Sequence, residues 1–261
     1  MDKFYTKPEI ARKCCEIILK HKLINAEKDL IIEPSAGAGS FIGPIKNVLR
    51  AKHSIFYDIA PAHKKIKKQN FLTLIPYTKR RVHIVGNPPF GFRGSLAIKF
   101  IKKASTFCDT FSFILPRSFK KPSMKKSVPS NFCLICTHML PKYSFIKDGL
   151  PYDVPCVFQI WKKSKGQKYI MKTLRPVGYT FARTGLNADF AVRRVGFNAG
   201  KISQYNLEVL NKNTHYFVKL NDTYDLEKIK DIESRSKKDV AGPYSISKRE
   251  IIRKLNIFLC K

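Results

Sequence analysis

The first 165 residues alternate between short apolar runs and segments with helical periodicity, and this alternation limits the fold more than any other feature of the chain. The runs DLIIEP, HSIFYDI, VHIVGN and FSFILP have the length of buried strands, whereas PEIARKCCEIILKH and SLAIKFIKKASTF carry apolar side chains at helical spacing. Strands that alternate with helices are typical of a parallel sheet with helices on both faces. We therefore predict an α/β fold, a Rossmann-like, doubly wound and mainly parallel sheet.

Smaller features complete the predicted architecture of residues 1–165. Thr6 and Glu9 have capping-box spacing before the first helix, and NFLTL is a candidate for a short third strand. FCLICTHML is predicted to be a buried strand that forms a terminal antiparallel hairpin with VPCVFQIWKK, through a loop that contains Lys147–Gly149. The pattern becomes less regular afterwards, so residues 166–261 are expected to form a smaller basic C-terminal domain or appendage.

The charge of the chain is unusual, because 50 Lys and Arg stand against 19 Asp and Glu, giving a formal net charge of +31. Such self-repulsion indicates a polyanionic partner. Nucleic acid is favoured over an anionic membrane surface, since no basic amphipathic helix dominates the chain and no apolar run approaches the ~20 residues of a membrane span. The N-terminus lacks the pattern of a secretory signal, so we expect an intracellular protein, cytoplasmic or nuclear.

The seven cysteines are odd in number and scattered, which is typical of free thiols in a reducing compartment. Cys133 and Cys136 form a C-x-x-C pair. A zinc ion needs four ligands, and no second pair with suitable spacing follows. The two cysteines are therefore interpreted as small apolar residues of a strand, and no metal is expected.

The segment HIVGNPPFGF, residues 83–92, ends a predicted buried strand with an amide side chain, two prolines and an aromatic ring. Neither proline can continue a sheet ladder or a helix, because each lacks an N–H group and has a fixed φ angle. The structural interpretation is a rigid turn. The functional interpretation is that this turn holds Asn87 and Phe90 still in front of a flat, polar group.

Two other strand ends carry candidate ligand-binding residues. In EPSAGAGSF, residues 33–41, Gly37 and Gly39 allow the backbone to approach a ligand closely, although the third glycine of a dinucleotide fingerprint is missing. Asp58 ends the next strand, about 20 residues later, where doubly wound sheets place a carboxylate that binds ribose. The structural alternatives are a turn between strand and helix for the glycines, and for Asp58 a helix cap or a salt bridge to Lys64 or Lys65.

In this order, the glycine loop, the acidic strand end and the Asn-Pro-Pro-Phe turn resemble the class I S-adenosylmethionine-dependent methyltransferases, in particular the amino-methyltransferases that modify adenine N6. FYTKPEIARKC looks like the cofactor-contacting element that precedes the glycine motif in a permuted group of DNA adenine methyltransferases. FSFILPRSF and LPKYSFIKDGLPYDVPCVFQIWKK are similar to later strands of that group, so the resemblance covers residues 3–163.

The resemblance implies S-adenosylmethionine as the cofactor. The positions that match the family's cofactor-binding residues are Tyr5, Thr6, Pro8, Glu33, Ser35, Gly37, Gly39, Asp58 and Asn70. The first three would flank the methionine moiety, the next four would line the cofactor, and Asp58 would bind the ribose hydroxyls. Asn70 stands where the family commonly has an aspartate that accepts from the cofactor's adenine amine, and an amide oxygen can accept as well.

The same resemblance assigns the catalytic turn to Asn87, Pro88, Pro89 and Phe90. The Asn87 side-chain oxygen and the Pro88 carbonyl would accept the two N–H bonds of an exocyclic adenine amine, and the prolines would hold both acceptors in place. Phe90 would stack on the base, which has to leave its helix to reach the site.

Two basic segments are candidates for contact with nucleic acid. RSFKKPSMKK, residues 117–126, follows the fifth predicted strand, and its Arg117, Lys120 and Lys121 would hold phosphates near the target base. Arg193 and Arg194 lie in a segment interpreted as a basic hairpin or loop that touches nucleic acid. The structural alternative for both is an ordinary solvated surface.

The expected function is transfer of a methyl group from S-adenosylmethionine to adenine N6 in nucleic acid, with DNA as the first choice. RNA is the closest alternative, and methylation of a protein glutamine is a third. The rival from another class is a non-catalytic nucleic-acid-binding subunit with a methyltransferase fold. The sequence leaves the recognition sequence, a protein partner and the oligomeric state open.

Overall fold

The computed structural model describes residues 4–164, 174–221 and 245–259. The chain divides into two compact units, residues 1–170 and residues 171–261. In the described part of the chain, no helix is both long and apolar enough to cross a lipid bilayer.

The described residues of the first unit form ten strands and four α-helices. In chain order they are β1 (Tyr5–Thr6), α1 (Pro8–Lys20), β2 (Leu30–Glu33), α2 (Ile42–Asn47), β3 (His53–Asp58), β4 (Lys67–Lys68), β5 (Val82–Gly86), α3 (Ser95–Ser105), β6 (Thr110–Pro116), α4 (Pro122–Lys125), β7 (Phe132–Met139), β8 (Phe145–Lys147), β9 (Leu150–Tyr152) and β10 (Cys156–Lys163).

Seven of these strands form one sheet in the order β4-β3-β2-β5-β6-β10-β7. The first five are parallel, and β10 is antiparallel to both β6 and β7. The predicted mainly parallel α/β sheet with a terminal antiparallel hairpin is therefore confirmed. The chain leaves β2 toward one side of the sheet and β5 toward the other, so the carboxyl ends of these two neighbours form a topological switch point, where ligands bind in doubly wound sheets.

Each face of the sheet has its own hydrophobic core, because successive side chains of the central strands alternate between the faces. Ile31 and Val85 pack with the buried side of α1 and α2, and Ile32 and Ile84 pack with α3 on the other face. All residues of β2, β5 and β6 are buried, as expected for the central strands of a parallel sheet.

Three predictions about local structure are wrong. NFLTL, the predicted third strand, is not a strand. Its residues Phe71–Thr73 form a 3-10 turn, because Asn70 accepts the Leu72 N–H and caps the turn, and the strand at this place in the sheet is the exposed pair Lys67–Lys68 (β4). The strand Phe132–Met139 is an edge strand of which only Phe132 is fully buried, since no further strand covers it. The capping box is not formed, because Lys7 is the N-cap residue of α1 and makes no side-chain capping bond.

The predicted loop around Lys147–Gly149 is more structured than expected. Its strands β8 and β9 pair with each other, and β8 also pairs with β1, where Tyr5 lies opposite Ile146 and Thr6 opposite Phe145. Phe4 stacks on Tyr152 with ring centroids 5.2 Å apart. This three-stranded sheet fixes the N-terminal segment beside the carboxyl ends of the parallel strands.

His83 has partners that the sequence did not reveal. Its ring is fully buried, with Nδ1 2.7 Å from Thr110 Oγ1 and Nε2 3.0 Å from Asp29 Oδ2. Burial lowers the pKa of His83, so the ring is neutral at pH 7. The triad lies at the amino end of β5 and β6, the opposite edge of the sheet from Asn87, and ties three neighbouring segments together.

The described residues of the second unit, 174–221 and 245–259, form an antiparallel sheet and an α-helix. Its elements are β11 (Tyr179–Ala182), β12 (Phe190–Arg193), β13 (Ile202–Ser203), β14 (His215–Leu220) and α5 (Lys248–Leu259), with the strands in the order β11-β14-β12-β13. Ile251 and Leu255 of α5 pack on Tyr179, Phe190 and Val218. Ser247 and Glu250 form a reciprocal capping box at the start of α5, which stabilises the helix against this sheet.

The described cysteines are all free thiols: Cys14, Cys15, Cys108, Cys133, Cys136 and Cys156. Cys133 and Cys136 lie half-buried on the edge strand β7. Among the described residues, no group of three or more His, Cys, Asp and Glu side chains is placed to hold a metal ion.

Candidate active site

A cleft of about 310 Å³ opens at the carboxyl ends of β2, β3 and β5, at the topological switch point. Its walls come from the N-terminal segment, the glycine loop after β2, the end of β3, the turn at Asn70 and the turn after β5. Five segments that are distant in sequence thus meet around one cavity, which is the arrangement of a ligand-binding site in this fold class.

The structure brings most of the sequence-predicted site residues to this cleft. The residues that line it are Tyr5, Thr6, Glu33, Ser35, Gly37, Asp58, Asn70, Asn87, Pro88, Pro89 and Phe90. Pro8 and Gly39 do not line it. Pro8 is the first residue of α1, and Gly39 (φ 90°) makes the turn into α2, where a Cβ atom would lie 2.8 Å from Ile42.

Asp58 organises the glycine loop. Its Oδ2 accepts the Gly37 N–H at 2.8 Å, and its Oδ1 accepts the Ala60 N–H at 2.8 Å. The carboxylate therefore joins the end of β3 to the loop after β2, with both oxygens already oriented by backbone donors. Each carboxylate oxygen has further lone pairs for a ligand.

Gly37 gives the loop its close approach to the N-terminal segment. Its φ is 51°, and a Cβ atom here would lie 3.0 Å from Cε1 of Tyr5, so both the backbone conformation and the Tyr5 ring exclude larger residues. Ser40 Oγ donates to the Thr6 carbonyl at 2.6 Å and holds the same two segments together. The glycine loop and β1 form one continuous wall of the cleft.

Asn87 is held with its side-chain oxygen available. Its Nδ2 donates to the Phe4 carbonyl at 3.3 Å, which orients the amide, and its own carbonyl accepts from Ser35 Oγ at 3.0 Å. Asn87 Oδ1 is buried and has no hydrogen-bond partner among the described residues. A buried acceptor without a partner costs free energy, about 1–3 kcal/mol, unless a ligand supplies the donor.

The turn after Asn87 is rigid by construction. Pro88 is buried, Pro89 is half-buried, and the Phe90 carbonyl accepts the N–H groups of Leu96 and Ala97 at the start of α3. The Phe90 ring is half-buried against the core and lines the cleft. The rigid backbone of this turn therefore presents the Asn87 side-chain oxygen and the Phe90 ring to the cleft.

Glu33 places a buried carboxyl group at the floor of the cleft. It is 2% exposed, and its Oε2 has no hydrogen-bond partner among the described residues. Burial, and secondarily the charge of Asp58, raise the pKa of Glu33 well above its usual range. Without a cationic partner the carboxyl group therefore tends to keep its proton.

Glu33→Gln is expected to stabilise the ligand-free protein in a pH-dependent way. Since the folded-state pKa is raised, the unfolded chain releases this proton first as pH rises, and folding then becomes less favourable. Glutamine cannot ionise, so the variant should gain roughly 1–3 kcal/mol of unfolding free energy at pH 8 and little near pH 4.5. Denaturant unfolding at several pH values measures the difference. Glu27→Gln, at an exposed pair with Lys52, is the control, and a gain independent of pH would contradict the assignment.

Several cleft residues were not identified from the sequence: Phe4, Ser40, Ile59, Ala60, Leu72, Leu96 and Phe100. Phe4, Ser40 and Ile59 are direct neighbours of predicted residues, so adjacency was the available signal for these three. Asn70 lines the cleft as expected, but its side-chain oxygen already accepts the Leu72 N–H at 3.0 Å. A ligand would have to share that oxygen.

The predicted nucleic-acid residues lie outside the cleft walls. Arg117 and Lys120 bound a 3-10 turn directly after β6, and Lys121 precedes α4, so this basic element is adjacent to the turn after β5. Arg193 and Arg194 belong to the second unit, at the end of β12, which forms the predicted hairpin with β13. The Arg194 guanidinium lies 4.9 Å from the centroid of the Tyr216 ring.

No protein-family model and no curated protein sequence matches the chain. Solved structures do match. A protein from Listeria monocytogenes, proposed to be a class I S-adenosylmethionine-dependent methyltransferase, aligns with a TM-score of 0.50 and 13% identity over 65% of this chain and 64% of that chain. The fold is that of the class I S-adenosylmethionine-dependent methyltransferases. Residues 1–170 are called the methyltransferase-fold unit below.

Two other solved structures are similar at lower TM-scores. A protein from Pyrococcus horikoshii, proposed to be an RNA methyltransferase, aligns with a TM-score of 0.46 and 17% identity over 60% of this chain and 84% of that chain. The methyltransferase subunit of a type I restriction-modification system from Streptococcus thermophilus aligns with a TM-score of 0.47 and 12% identity over 63% of this chain and 46% of that chain. The chain spans less than two thirds of the Listeria and Streptococcus proteins.

Proposed function

We propose that this protein binds S-adenosylmethionine in the cleft and methylates the N6 amine of an adenine in nucleic acid, with DNA as the first choice of polymer. The observation that carries the proposal is the buried, unpartnered oxygen of Asn87, fixed by the Phe4 carbonyl and followed by two prolines and Phe90. An acceptor held in this way, beside an aromatic ring, suits an amine on a flat base.

The residues of the cleft suit the cofactor. Asp58, with both oxygens oriented, would bind the ribose hydroxyls, and Gly37 leaves room for the cofactor against the backbone. Glu33 has an orphan oxygen beside the charge of Asp58, so a cationic ligand would be stabilised there. When bound, S-adenosylmethionine supplies a methyl group activated by a positively charged sulfur.

The Asn-Pro-Pro-Phe turn would activate the amine. The lone pair of an exocyclic adenine amine is delocalised into the ring, which makes it a weak nucleophile. Asn87 Oδ1 and the Pro88 carbonyl would accept its two N–H bonds and draw the nitrogen toward a pyramidal geometry. The activated nitrogen would then accept the methyl group that the bound cofactor supplies, with the cofactor's sulfur as the leaving group. Its surplus proton leaves to water afterwards, so no general base is required.

Phe90 would hold the extruded base. A base inside a duplex cannot reach the cleft, and its extrusion costs a few kcal/mol of stacking and pairing. Stacking on the Phe90 ring would offset part of that cost, and the ring packs against the core while its backbone carbonyl accepts from the first residues of α3. Preorganisation of this kind reduces the entropy lost on binding.

The charge distribution supports a polyanionic substrate. The methyltransferase-fold unit carries 32 of the 50 Lys and Arg but only 10 of the 19 Asp and Glu. The basic element at residues 117–126 holds five Lys and Arg and no acidic residue, and burial, together with the neighbouring Lys120, lowers the pKa of Lys125. Phosphates would relieve this mutual repulsion.

The choice between substrates rests on narrower observations. The likeness of FYTKPEIARKC to a group of DNA adenine methyltransferases favours DNA over RNA. The net charge of +31 fits either polymer and gives no reason to favour a protein glutamine. Intact Gly37, Asp58 and Asn87 at one cleft favour an enzyme over a non-catalytic subunit.

A binding and transfer panel tests the proposal. Calorimetry measures affinity for S-adenosylmethionine, and radiolabelled S-adenosylmethionine measures transfer to duplex DNA, single-stranded DNA, structured RNA and a glutamine-containing peptide. We expect cofactor binding and label in DNA. Label in RNA alone would keep the nucleic-acid assignment and overturn the choice of DNA. Cofactor binding with label only in the peptide would overturn the nucleic-acid assignment, and absence of cofactor binding would favour the non-catalytic subunit.

Replacing both Lys120 and Lys121 with Gln is expected to weaken nucleic-acid binding and flatten its salt dependence. Each lost phosphate contact lowers the slope of log K against log salt by about 0.9 for duplex DNA. Fluorescence anisotropy of a labelled duplex at several salt concentrations measures the slope. The control replaces Lys67 and Lys68 with Gln, which removes the same charge from the exposed edge strand β4. Equal slopes in both variants would make the basic element a bystander.

A further inference from the structure

The segment Gly91–Gly94, directly after Phe90, forms a tight surface loop with an unusual backbone. Three of its residues have positive φ, namely Gly91 (66°), Arg93 (52°) and Gly94 (79°). The loop is closed at its base, where the Phe90 carbonyl accepts from Leu96 and Ala97, and internally, where the Gly94 N–H donates to the Gly91 carbonyl at 3.1 Å. A non-glycine residue seldom adopts the left-handed backbone conformation, and where it does, the conformation often serves a function.

This loop presents an aromatic ring and a cation to solvent. Phe92 is 79% exposed, and the Arg93 guanidinium carbon lies 4.9 Å from its ring centroid. Arg93 is exposed as well. A ring backed by a guanidinium on one face offers its other face for stacking.

The loop also lies against the basic element. A Cβ atom at Gly94 would lie 3.1 Å from the ring of Phe119 and 3.5 Å from Met124, so the glycine permits close packing between the two segments. Lys120 and Lys121 lie between Phe119 and Met124 in sequence, so the loop that carries Phe92 packs against the basic element. Aromatic rings combined with basic residues are the recurring features of surfaces that bind single nucleic-acid strands.

We infer that Phe92 is a stacking platform for the nucleobase next to the target adenine, with Arg93 supporting the ring and contacting the strand. The inference rests on the proposed function, and it adds a second base contact to the one at Phe90. Phe90 lines the cleft, and Phe92 follows it at a chain distance of at most about 7 Å. An extruded base stays joined to the next nucleotide through a single phosphate, so a neighbouring base falls within reach of Phe92.

Tyr77 provides a matched control. It is also fully exposed, at 103% relative accessibility, and Lys79 and Arg80 follow it in sequence, yet it does not line the cleft and lies in the segment between Thr73 and β5. Tyr77 is therefore an exposed ring beside basic residues of the same unit, but it does not lie next to the cleft as Phe92 does.

The test uses tryptophan as a reporter of stacking. The chain has a single tryptophan, Trp161, which is 2% exposed, so a substitution F92W or Y77W adds one solvent-exposed emitter. Each full-length variant is titrated with single-stranded oligodeoxyadenylate, oligoriboadenylate, a DNA duplex and inorganic polyphosphate, which has the charge but lacks bases. In parallel, methyl transfer is measured for F92A and F92W.

Quenching of F92W by a base-containing polymer, without quenching by polyphosphate or in Y77W, is the expected result. F92A should lose about tenfold in kcat/KM, the effect of one stacked base, and F92W should retain activity. Equal quenching in F92W and Y77W would overturn the inference. Binding of the polymer to F92W, measured by anisotropy, without quenching would overturn it as well. Methyl transfer by the unmodified protein would still support the proposed function in both cases. Selective quenching without any methyl transfer would preserve the platform and overturn the proposed function.

Discussion

Asn87→Ala is expected to bind S-adenosylmethionine within about threefold of the unmodified protein and to lose methyl transfer by two to three orders of magnitude. The side-chain oxygen is buried without a partner, so its proposed contact is with the target amine rather than with the cofactor. Removing one hydrogen-bonding group that acts mainly in a transition state typically costs about 10²–10³ in rate. Calorimetry and single-turnover transfer measure the two quantities separately.

Two further variants define that result. Asn47→Ala removes an exposed amide from α2, outside the cleft, and should change neither quantity. Asn87→Asp keeps an acceptor but loses the donor to the Phe4 carbonyl, so its turnover should fall between those of the unmodified protein and Asn87→Ala. Asn87→Ala with full turnover would contradict the proposed activation of the amine.

Asp58→Ala is expected to show the opposite pattern, with about a 100-fold loss of cofactor affinity. The carboxylate accepts the Gly37 and Ala60 N–H groups, so its removal releases the glycine loop and also deletes the proposed ribose contact. Hydrogen bonds to charged groups contribute about 1.5–3 kcal/mol each, which corresponds to a loss of this size. Calorimetric titration with S-adenosylmethionine measures it.

The control for Asp58→Ala is Glu27→Ala, which removes the same charge from an exposed ion pair with Lys52. Binding by the control should be unchanged. If both variants lose affinity equally, the loss reflects net charge rather than the geometry of the glycine loop. If neither loses affinity, the cleft does not bind the ribose through Asp58.

The central architecture could be predicted because its signals are local. β2, β5 and β6 are runs of buried, mainly apolar residues, and two of them end in a motif whose residue types limit the backbone: glycines after β2 and prolines after β5. Parallel strands bring their carboxyl ends to the same edge of a sheet, so the motifs of separate strands were expected at one site. Tyr5, Asp58 and Asn87 do line one cleft.

The features that could not be predicted depend on contacts between distant parts of the chain. β4 consists of two exposed lysines whose strand geometry comes from pairing with β3, so no apolar pattern marks it. β8 and β9 are short, and their pairing with β1 joins residues near 5 and 146. The orientation of the Asn87 amide depends on the Phe4 carbonyl, and the isolation of Glu33 Oε2 depends on how the floor of the cleft is packed.

The central claim is that the methyl group arrives on adenine N6, and analysis of the modified nucleoside tests it most directly. The full-length protein is incubated with S-adenosylmethionine that carries a deuterated methyl group and with a polymer that accepts label. The polymer is then digested to nucleosides and analysed by mass spectrometry beside an N6-methyl standard. We predict deuterated N6-methyladenine in the unmodified protein's product and its near absence with Asn87→Ala. A deuterated methyl group on a ring nitrogen, on a ring carbon or on ribose would contradict the account, because the acceptors at Asn87 and Pro88 suit an exocyclic amine, and label on cytosine N4 would contradict the assignment to adenine.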